Sequence, residues 1–486
     1  MFGEVLINYM EPRIRDSIKS GLITQSAIAE SDYPKDAMNE SLNFHFDTIG
    51  KMTLRGGLTQ LGDTISDSNI LGLYFFVDNA GVYKKLMAVN GTALYYLSGN
   101  TWVSKRTGLT SGSKARFTTM LDNVFMVNGT EATAVWDGHP ATNFVTTGNA
   151  SNAPIGKFID NYRSRIWIAG NPTYPDRIYY STIPSAVTTP IVSWDTDVGT
   201  GQWIDISPSD GENITALKRT RGALLVFKPS HTYRIFSILQ ADPDVQFNVG
   251  TYSQESVVET KNGIYFHSPT GFYRYDGNMV EVSRPIIDIV EAITDYENIA
   301  GYVEPDGDHI CWSIGDVTYG GTTYQNMVVR YTISTQVWTH YTYPTRFLAS
   351  STFVDGNIYT VVGDEDGKVY KTDIGTTDNG SSIFYSLIHP FDSIDGYSST
   401  VKIINKMFFR HSGMTGASIT YQIPNDITND WRKKVGVMKN TETGFSNLNV
   451  RGRKIKFRIS GTSKGEPVSY EGYECLDGSS QLITFT

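Results

Sequence analysis

The sequence predicts an all-β protein in which a β-propeller of about seven blades is followed by a C-terminal β-sandwich. A short hairpin pattern recurs at a spacing typical of propeller blades. The composition includes 29 Tyr and 45 Gly residues, which favours strands and tight turns over helices. Beyond about residue 382 the recurrence stops and longer strands begin, which indicates a second domain.

The clearest copy of the hairpin lies in residues 262–282. Residues 264–266 are Ile-Tyr-Phe, a β-prone run, and residues 268–271 are Ser-Pro-Thr-Gly, a typical turn. Aromatic residues follow at 272, 273 and 275, and Asp276-Gly277 closes the unit with a second hairpin-type turn. The stretch therefore predicts two antiparallel strands and the start of a third.

Weaker copies of this hairpin occur along most of the chain. Their first strands lie near Leu86, Val124, Ile166, Leu224, Ile264, Ile310 and Ile358, at steps of 38, 42, 58, 40, 46 and 48 residues. Propeller blades of four strands repeat every 40–50 residues or so. The step of 58 contains an extra loop, 183–213, that is rich in Ser, Thr, Pro and Gly. Seven units at this period predict a β-propeller.

We predict three regions on this basis. Residues 1–45 form an N-terminal docking arm and opening segment, residues 46–382 form the propeller, and residues 383–486 form the sandwich. The pattern in 42–61 predicts a hairpin that opens the propeller or closes its ring by pairing with the last blade, since open strand edges invite aggregation. In the sandwich, longer strands are predicted at 403–409, 417–423, 454–459 and 468–475.

Charge is distributed unevenly. The whole chain carries −9, whereas residues 401–466 contain 13 Lys and Arg against 4 Asp and Glu, a net +9. The rest of the chain therefore carries −18. The basic residues of strand 454–459 alternate with Ile455, Phe457 and Ile459, as on the outer face of a half-buried strand. We take Arg451, Lys454, Lys456 and Arg458 as a candidate subunit-contact or DNA-proximal face; the alternative is a solvated face.

No motif in the sequence indicates catalysis. A Gly-x-Ser-x-Gly elbow, a Walker A loop and a His-Glu-x-x-His pair are all missing from the sequence. Cys311 and Cys475 cannot build a zinc site or a disulfide framework. Two acidic turns, Asp306-Gly307-Asp308 and residues 363–367, could hold Ca²⁺, but solvated turns explain them better. We predict a protein that is not an enzyme, with no cofactor and no metal.

The first residues do not predict a signal peptide. Residues 1–10 lack both the basic region and the apolar stretch of a signal peptide. No run of 18 apolar residues occurs, so no membrane segment is expected.

Three stretches, taken in order, resemble the tail hub or nozzle proteins of short-tailed bacteriophages, also called packaged-DNA stabilisation proteins. The first is 43–58, with Gly50-Lys51-Met52-Thr53-Leu54-Arg55-Gly56-Gly57-Leu58. The second is the hairpin 263–277, and the third is the basic strand 451–458, Arg-Gly-Arg-Lys-Ile-Lys-Phe-Arg. The resemblance covers most of the chain except the first 40 residues.

The resemblance implies a non-enzymatic structural protein of the virion tail, assembled in the host bacterial cytoplasm. Such proteins form a ring, typically a homohexamer, below the portal and its adaptor. The ring encloses the DNA exit channel, helps to retain packaged DNA, and contacts tail fibres or the tail tip. The alternatives are a propeller-type receptor-binding or glycan-cleaving tail protein and, third, a cellular propeller scaffold.

An acidic channel wall would let the DNA duplex pass without sticking, so the basic block should lie mostly at subunit contacts or facing partner proteins, with at most a localised basic ring near the DNA. We therefore predict that reversing Lys454, Lys456 and Arg458 together to Glu impairs ring assembly or tail attachment while the propeller still folds.

Overall fold

Strand pairing arranges the chain as a ring of seven blades joined to a C-terminal sandwich of two sheets. The computed structural model describes residues 7–9, 13–15, 20–25, 34, 36–48, 50–184, 192–196, 201–208, 210–238, 245–390, 401–422, 436–439, 446–452 and 454–481. The predicted fold, a β-propeller followed by a β-sandwich, is confirmed.

In the described residues before the first blade, eight short strands occur and are shared among several sheets. They are β1 (Ile7–Tyr9), β2 (Arg13–Arg15), β3 (Gly21–Leu22), β4 (Ala37–Met38), β5 (Glu40–Leu42), β6 (Phe44–Thr48), β7 (Lys51–Leu54) and β8 (Leu58–Gln60).

The first four blades are antiparallel sheets made from consecutive strands. Blade 1 contains β9 (Ile70–Val77), β10 (Lys84–Asn90), β11 (Ala93–Ser98) and β12 (Thr101–Thr107). Blade 2 contains β13 (Arg116–Met120), β14 (Asn123–Val127) and β15 (Ala134–Trp136), and blade 3 contains β16 (Phe158–Tyr162), β17 (Arg165–Ala169), β18 (Arg177–Tyr180) and β19 (Trp203–Asp205). Blade 4 contains β20 (Ala216–Arg219), β21 (Leu224–Phe227), β22 (Thr232–Ile235) and β23 (Val245–Phe247).

The remaining blades follow the same order. Blade 5 contains β24 (Val258–Thr260), β25 (Gly263–Ser268), β26 (Gly271–Tyr275) and β27 (Met279–Glu281), and the helix α1 (Ile287–Ala292) follows it. Blade 6 contains β28 (Ala300–Val303), β29 (His309–Tyr319), β30 (Thr322–Thr332) and β31 (Val337–Thr342). Blade 7 contains β32 (Phe347–Asp355), β33 (Asn357–Asp364) and β34 (Val369–Thr372), extended by β35 (Thr377–Asp378) and β36 (Ser381–Ser382). Three 3-10 turns occur at Gly148–Ala150, Gln254–Ser256 and Arg284–Ile286.

The hairpin that recurs in the sequence is the middle of each blade. The seven predicted first strands are β10, β14, β17, β21, β25, β29 and β33, each the second strand of its blade. The innermost strand comes before the hairpin, and residues of all seven innermost strands line one axial cavity. The predicted extra loop of the 58-residue step, 183–213, follows β18 and contains β19, the fourth strand of blade 3. Residues 185–191, 197–200 and 209 of that loop lie outside the described part of the chain.

The ring closes through the N-terminal segment. Strand β8 pairs antiparallel with β34, placing Gln60 opposite Tyr370 and Leu58 opposite Thr372, and so adds a strand to the last blade. The closure is tight at Gly57, where a Cβ atom would stand 1.8 Å from the carbonyl oxygen of Thr377. The hypothesis that 42–61 helps to close the ring is therefore right for residues 58–60.

The predicted boundaries near residue 45 need correction. Strands β6 and β7 form a hairpin, but β7 pairs with the C-terminal strand β43 (Ser469–Gln481) and not with a blade. Residues 46–54 therefore belong to the sandwich sheet rather than to the propeller. The alternating buried residues Phe44, Phe46, Met52 and Leu54 explain this, because they complete the apolar core of the sandwich. Of the predicted arm, residues 1–6, 10–12, 16–19, 26–33 and 35 lie outside the described part of the chain.

The sandwich contains two facing sheets. The other C-terminal strands are β37 (Phe384–Ile388), β38 (Val401–Ser412), β39 (Ser418–Gln422), β40 (Gly436–Val437), β41 (Ser446–Gly452) and β42 (Lys456–Thr462). One sheet has the order β41-β38-β43-β7-β6, with β1 and β2 also paired to β43. The other contains β37, β42, β39 and β40. All four predicted long strands are present.

The second sandwich sheet continues into the propeller. Strand β5 meets β31 of blade 6 in parallel, with Leu42 opposite His340, and pairs antiparallel with β37 on its other side. The result is a single nine-stranded sheet that runs from blade 6 into the sandwich. The two domains are thus joined by backbone hydrogen bonds as well as by side chains.

Candidate functional site at the junction of propeller and sandwich

The four basic residues predicted from the sequence do not share one surface. Arg451 is exposed on β41, at the edge of one sandwich sheet. Lys454 precedes β42, and Lys456 and Arg458 lie on β42 in the other sheet. All three are half-buried, while the alternating residues Ile455, Phe457 and Ile459 are buried in the sandwich core. The predicted alternation is present, but the sequence could not reveal that Arg451 belongs to a different sheet.

Arg458 makes contacts within the chain. Its Nε donates to the Ser386 hydroxyl at 3.2 Å, and its guanidinium lies 3.7 Å from the carboxylate of Glu40. Glu40 is 4 % exposed and also accepts a hydrogen bond from the hydroxyl of Tyr324 on β30. Burial, and then the neighbouring Glu40 carboxylate, raise the pKa of Tyr324. Arg458 therefore supports the seam between blade 6 and the sandwich.

His340 lies fully buried on β31 in the same seam. Neither of its ring nitrogens has a hydrogen-bond partner among the residues that the structure describes. Burial lowers the pKa of His340 to about 4, although the Glu40 carboxylate acts in the opposite direction. The imidazole is therefore neutral at physiological pH and packs against the rings of Tyr319 and Tyr324.

A second group of charged residues joins the sandwich hairpin to blade 6. Arg330 on β30 is 2 % exposed and makes paired hydrogen bonds to two carboxylates. It donates to both oxygens of Glu304 at 3.0 Å and to both oxygens of Asp47 at 2.8 and 3.1 Å. Asp47 lies on β6, so this guanidinium connects the two domains directly. Bidentate pairs of this kind fix geometry as well as adding energy.

His309 completes this cluster. Its Nδ1 lies 2.5 Å from Asp306 and its Nε2 lies 3.2 Å from Asp47, so both ring nitrogens face carboxylates. Burial alone would lower the pKa of His309, but the contact with Asp47 and the charge of Glu304 raise it above the usual value. Burial would raise the pKa of Asp47, but hydrogen bonds from His309, His45 and Arg330 hold it well below its usual value. We call Asp47, Glu304, Asp306, His309 and Arg330 the junction cluster.

The junction cluster includes three residues whose ligand atoms could surround a cation. Atoms of Glu304, Asp306 and His309 lie within 4.8 Å of one another. Both oxygens of Glu304 are already hydrogen-bonded to Arg330, and Nδ1 of His309 contacts Asp306. The guanidinium thus supplies the positive charge that a metal would otherwise bring, and the arrangement is an ion-pair network. The other predicted acidic turn is closed by Asp364, whose Oδ1 accepts hydrogen bonds from the backbone of Asp366 and Lys368.

A third link stands beside β8. Arg55 is 4 % exposed and donates from both terminal nitrogens to Asp378 at 2.7 Å. It also donates to the Asn43 side chain and to the backbone carbonyl of Thr342 on blade 6. Arg55 therefore binds blade 6, blade 7 and the N-terminal segment together. The Arg-Gly-Gly-Leu sequence at 55–58 draws attention to this position, but it does not indicate which residues Arg55 contacts.

The axial cavity of the propeller has a volume of about 380 Å³. At its wall, Arg116 donates to both oxygens of Glu255 at 2.7 and 3.1 Å, and Lys114 lies 3.5 Å from the same carboxylate. Burial would raise the pKa of Glu255, but Arg116 and Lys114 lower it to about 2. The wall therefore carries fixed charges beside apolar residues such as Leu71 and Val258.

The junction cluster is not visible in the sequence because its members come from distant parts of the chain. Asp47 and Arg330 are 283 residues apart, and in the separate link beside β8 Arg55 and Asp378 are 323 residues apart. Only the turn at Asp306-Gly307-Asp308 gives a local signal, and a solvated acidic turn has the same sequence pattern. None of the helices in the described part of the chain has the length and apolar character needed to cross a bilayer.

The chain shows distant likenesses to solved structures. No family model matches it, and no curated protein matches it. Among solved structures it is similar to the computationally designed Ika8 protein, at 11% identity and a TM-score of 0.39, over 65% of this chain and 99% of that one. It is also similar to a chain of the mitotic checkpoint complex, at 10% identity and a TM-score of 0.43, over 66% and 91%. A third likeness is to YCF48 bound to D1 peptide, at 11% identity and a TM-score of 0.41, over 67% of this chain and 98% of that one. Likenesses this distant carry no argument about function.

Proposed function

We propose that this protein is a structural subunit of a bacteriophage tail that forms a ring below the portal and adaptor. In this proposal the ring is a homohexamer, encloses the DNA exit channel, helps to retain packaged DNA, and contacts tail fibres or the tail tip. The protein is not an enzyme. The ordered resemblance of 43–58, 263–277 and 451–458 to nozzle proteins supports the family assignment.

The observation that best supports a structural role is the rigid union of the two domains. A nine-stranded sheet runs through both domains, and the buried guanidiniums of Arg330 and Arg55 make ion pairs across or beside the junction. A ring that contains DNA under pressure needs subunits whose domains do not hinge. A shared sheet resists hinging because bending it requires breaking backbone hydrogen bonds.

The structure leaves fewer candidate contact residues than the sequence suggested. Arg451, Lys454 and Lys456 remain candidates for contact with a neighbouring subunit or partner protein. Arg458 is a poor choice for a reversal, because a glutamate there would face the buried Glu40 carboxylate and weaken the seam itself. The predicted triple reversal would therefore mix a folding defect with any assembly defect.

The experiment that tests the proposal uses the double variant Lys454→Glu/Lys456→Glu, examined by size-exclusion chromatography, electron microscopy and complementation of virion assembly. The matched control is Lys84→Glu/Lys261→Glu, which reverses two exposed lysines of the propeller. We expect wild type and control to form rings and the double variant to remain smaller. A wild-type protein that is monomeric at all concentrations and absent from virions would contradict the proposal.

The axial cavity favours a second candidate, a propeller-type receptor-binding or glycan-cleaving tail protein. Its volume lies within the range of small-ligand sites, and charged groups stand at its wall. Saturable hydrolysis of host surface polysaccharide by the pure protein, lost on Glu255→Gln, would favour this candidate over the ring.

A further inference from the structure

Three arginines gather at one end of the axial cavity. Arg163, Arg219 and Arg221 line a surface depression of about 400 Å³ together with Glu259. Glu259 also lines the axial cavity, so the depression lies beside one end of that cavity. Arg163 lies in the turn between β16 and β17, Arg219 ends β20, and Arg221 lies in the turn between β20 and β21, so they belong to corresponding hairpins of blades 3 and 4.

Nearby carboxylates do not neutralise these arginines. Glu259 is paired with Lys218 at 3.3 Å, and Asp160 reaches Arg219 only at 4.0 Å. Within the described part of the chain, Arg163 and Arg221 have no carboxylate partner. Positive charges that lie close together repel each other, so an anion bound among them is electrostatically favourable. It also lies in a part of the chain whose net charge is otherwise negative.

The two turns are held in fixed positions relative to each other. The Tyr162 hydroxyl on blade 3 donates to the carbonyl of Gly222 on blade 4 at 2.8 Å. The Arg219 backbone N–H donates to Asp160 at 2.8 Å, and its side chain contacts Asn161. Thr220 accepts hydrogen bonds from the backbone of Gly222 and Ala223, which shapes the loop that presents Arg221. The depression is therefore preorganised.

Arg163 adds a separate sign of constraint. Its φ is 49°, and that of Ser164 is 56°, so both central residues of this tight turn occupy the left-handed region. Asn and Gly are the residues that such turns favour, and an arginine there is strained. Strain of this kind accumulates where a side chain is needed at a fixed position. Here the turn places an exposed arginine at the rim of the depression.

We propose that Arg163, Arg219 and Arg221 bind a phosphate group beside one end of the axial cavity. Arginine matches phosphate because its planar fork donates two parallel hydrogen bonds to two oxygens. The depression is large enough for a diphosphate or for one phosphate of a nucleic-acid backbone with its sugar. This inference does not depend on the tail role, since either ligand would use the same contacts.

The test compares two variants that each remove two positive charges. Arg163→Gly/Arg221→Ala deletes two of the three arginines, and the glycine suits the positive φ at 163. Lys84→Ala/Arg284→Ala removes two exposed charges from residues that do not line the depression and is the matched control. Pyrophosphate binding is measured by titration calorimetry, and a labelled single-stranded oligonucleotide is followed by fluorescence anisotropy at several salt concentrations. Melting temperatures report folding.

We expect wild type and control to bind pyrophosphate alike, and the arginine variant to bind at least about tenfold more weakly with an unchanged melting temperature. If the arginine variant also loses binding to the oligonucleotide, and its remaining binding depends less steeply on salt, the ligand is a nucleic-acid backbone. If the variant loses binding to pyrophosphate alone, the ligand is a small phosphate compound. The proposal is overturned if wild type does not bind pyrophosphate, if the control loses as much as the arginine variant, or if citrate binds equally well.

Discussion

Replacing Arg330 tests whether the junction cluster holds the two domains together. Arg330→Met keeps much of the aliphatic volume of the side chain but removes the guanidinium, so the lost energy is mainly electrostatic. Glu304 then loses both hydrogen bonds from the guanidinium, in a site where its side chain is 13 % exposed. Asp47 also loses its bonds to Arg330, but it keeps His309 and His45 as neighbours, is 34 % exposed and is better screened by water.

The expected loss in the free energy of unfolding is about 3 kcal/mol. Breaking a buried ion pair by removing one partner costs roughly 3–5 kcal/mol, and the solvent-accessible Asp47 side moves the value to the lower end of that range. Arg177→Met is the matched control, because Arg177 also makes a bidentate pair, with Asp205, but that carboxylate is 41 % exposed and the pair lies within blade 3. We expect the control to cost about 1 kcal/mol or less.

Urea denaturation followed by tryptophan fluorescence measures both variants, since Trp312 and Trp338 are buried in blade 6. Limited proteolysis adds a readout specific to the junction: the Arg330 variant should release the sandwich from the propeller before either domain is degraded. Equal losses for Arg330→Met and Arg177→Met, with no change in proteolysis, would refute the idea that this cluster joins the domains.

Two further predictions concern His309 in the junction cluster and Gly57 beside β8. The raised pKa of His309 means that its contribution to stability is present below about pH 6.5 and is lost as the pH rises through the higher pKa of the folded state. The lowered pKa of Asp47 means that its contribution is present above about pH 3.8 and is lost at more acidic pH. The junction should therefore stabilise the protein most between these two pH values. The melting temperature of the wild type should fall as the pH rises above 6.5, and that of His309→Gln should fall less. The same pH profile for both proteins would show that a charged His309 does not contribute to stability. Gly57→Ala should cost about 1–3 kcal/mol or more because its methyl group would meet the Thr377 backbone, whereas Gly222→Ala, with open space around it, should be nearly neutral. Similar melting temperatures for the two glycine variants would show that ring closure at β8 does not limit stability.

The propeller could be predicted from the sequence because its signal is local. Each pair of middle strands is joined by a short turn, as in Asn123–Val127 and Ala134–Trp136, so the hairpin repeats in the sequence as it does in space. The sandwich strands were visible for a similar reason, since Ile455, Phe457 and Ile459 alternate with basic residues. Period and alternation are properties of neighbouring residues and need no knowledge of distant partners.

The junction could not be predicted in the same way. Strand β5 has three residues and β8 has three, too few to show a period, and both pair with strands about 300 residues away or more. Arg330, Asp47 and Glu304 meet only because those pairings bring them together. For the same reason Arg458 looked like a surface residue, whereas Glu40 and Ser386 stand beside it.

The position of β8 sets an order for the synthesis of the protein. Residues 58–60 pair with 370–372, and β7 pairs with residues 469–470. A ribosome adding about 5–20 residues per second needs roughly 15–60 s to make the partner of β8 after β8 itself. During that interval the first blades can form, but the N-terminal strands have unpaired edges. On a crowded polysome the N-terminal segment of one nascent chain could complete the ring of another, so two copies would leave the ribosomes exchanged and interlocked.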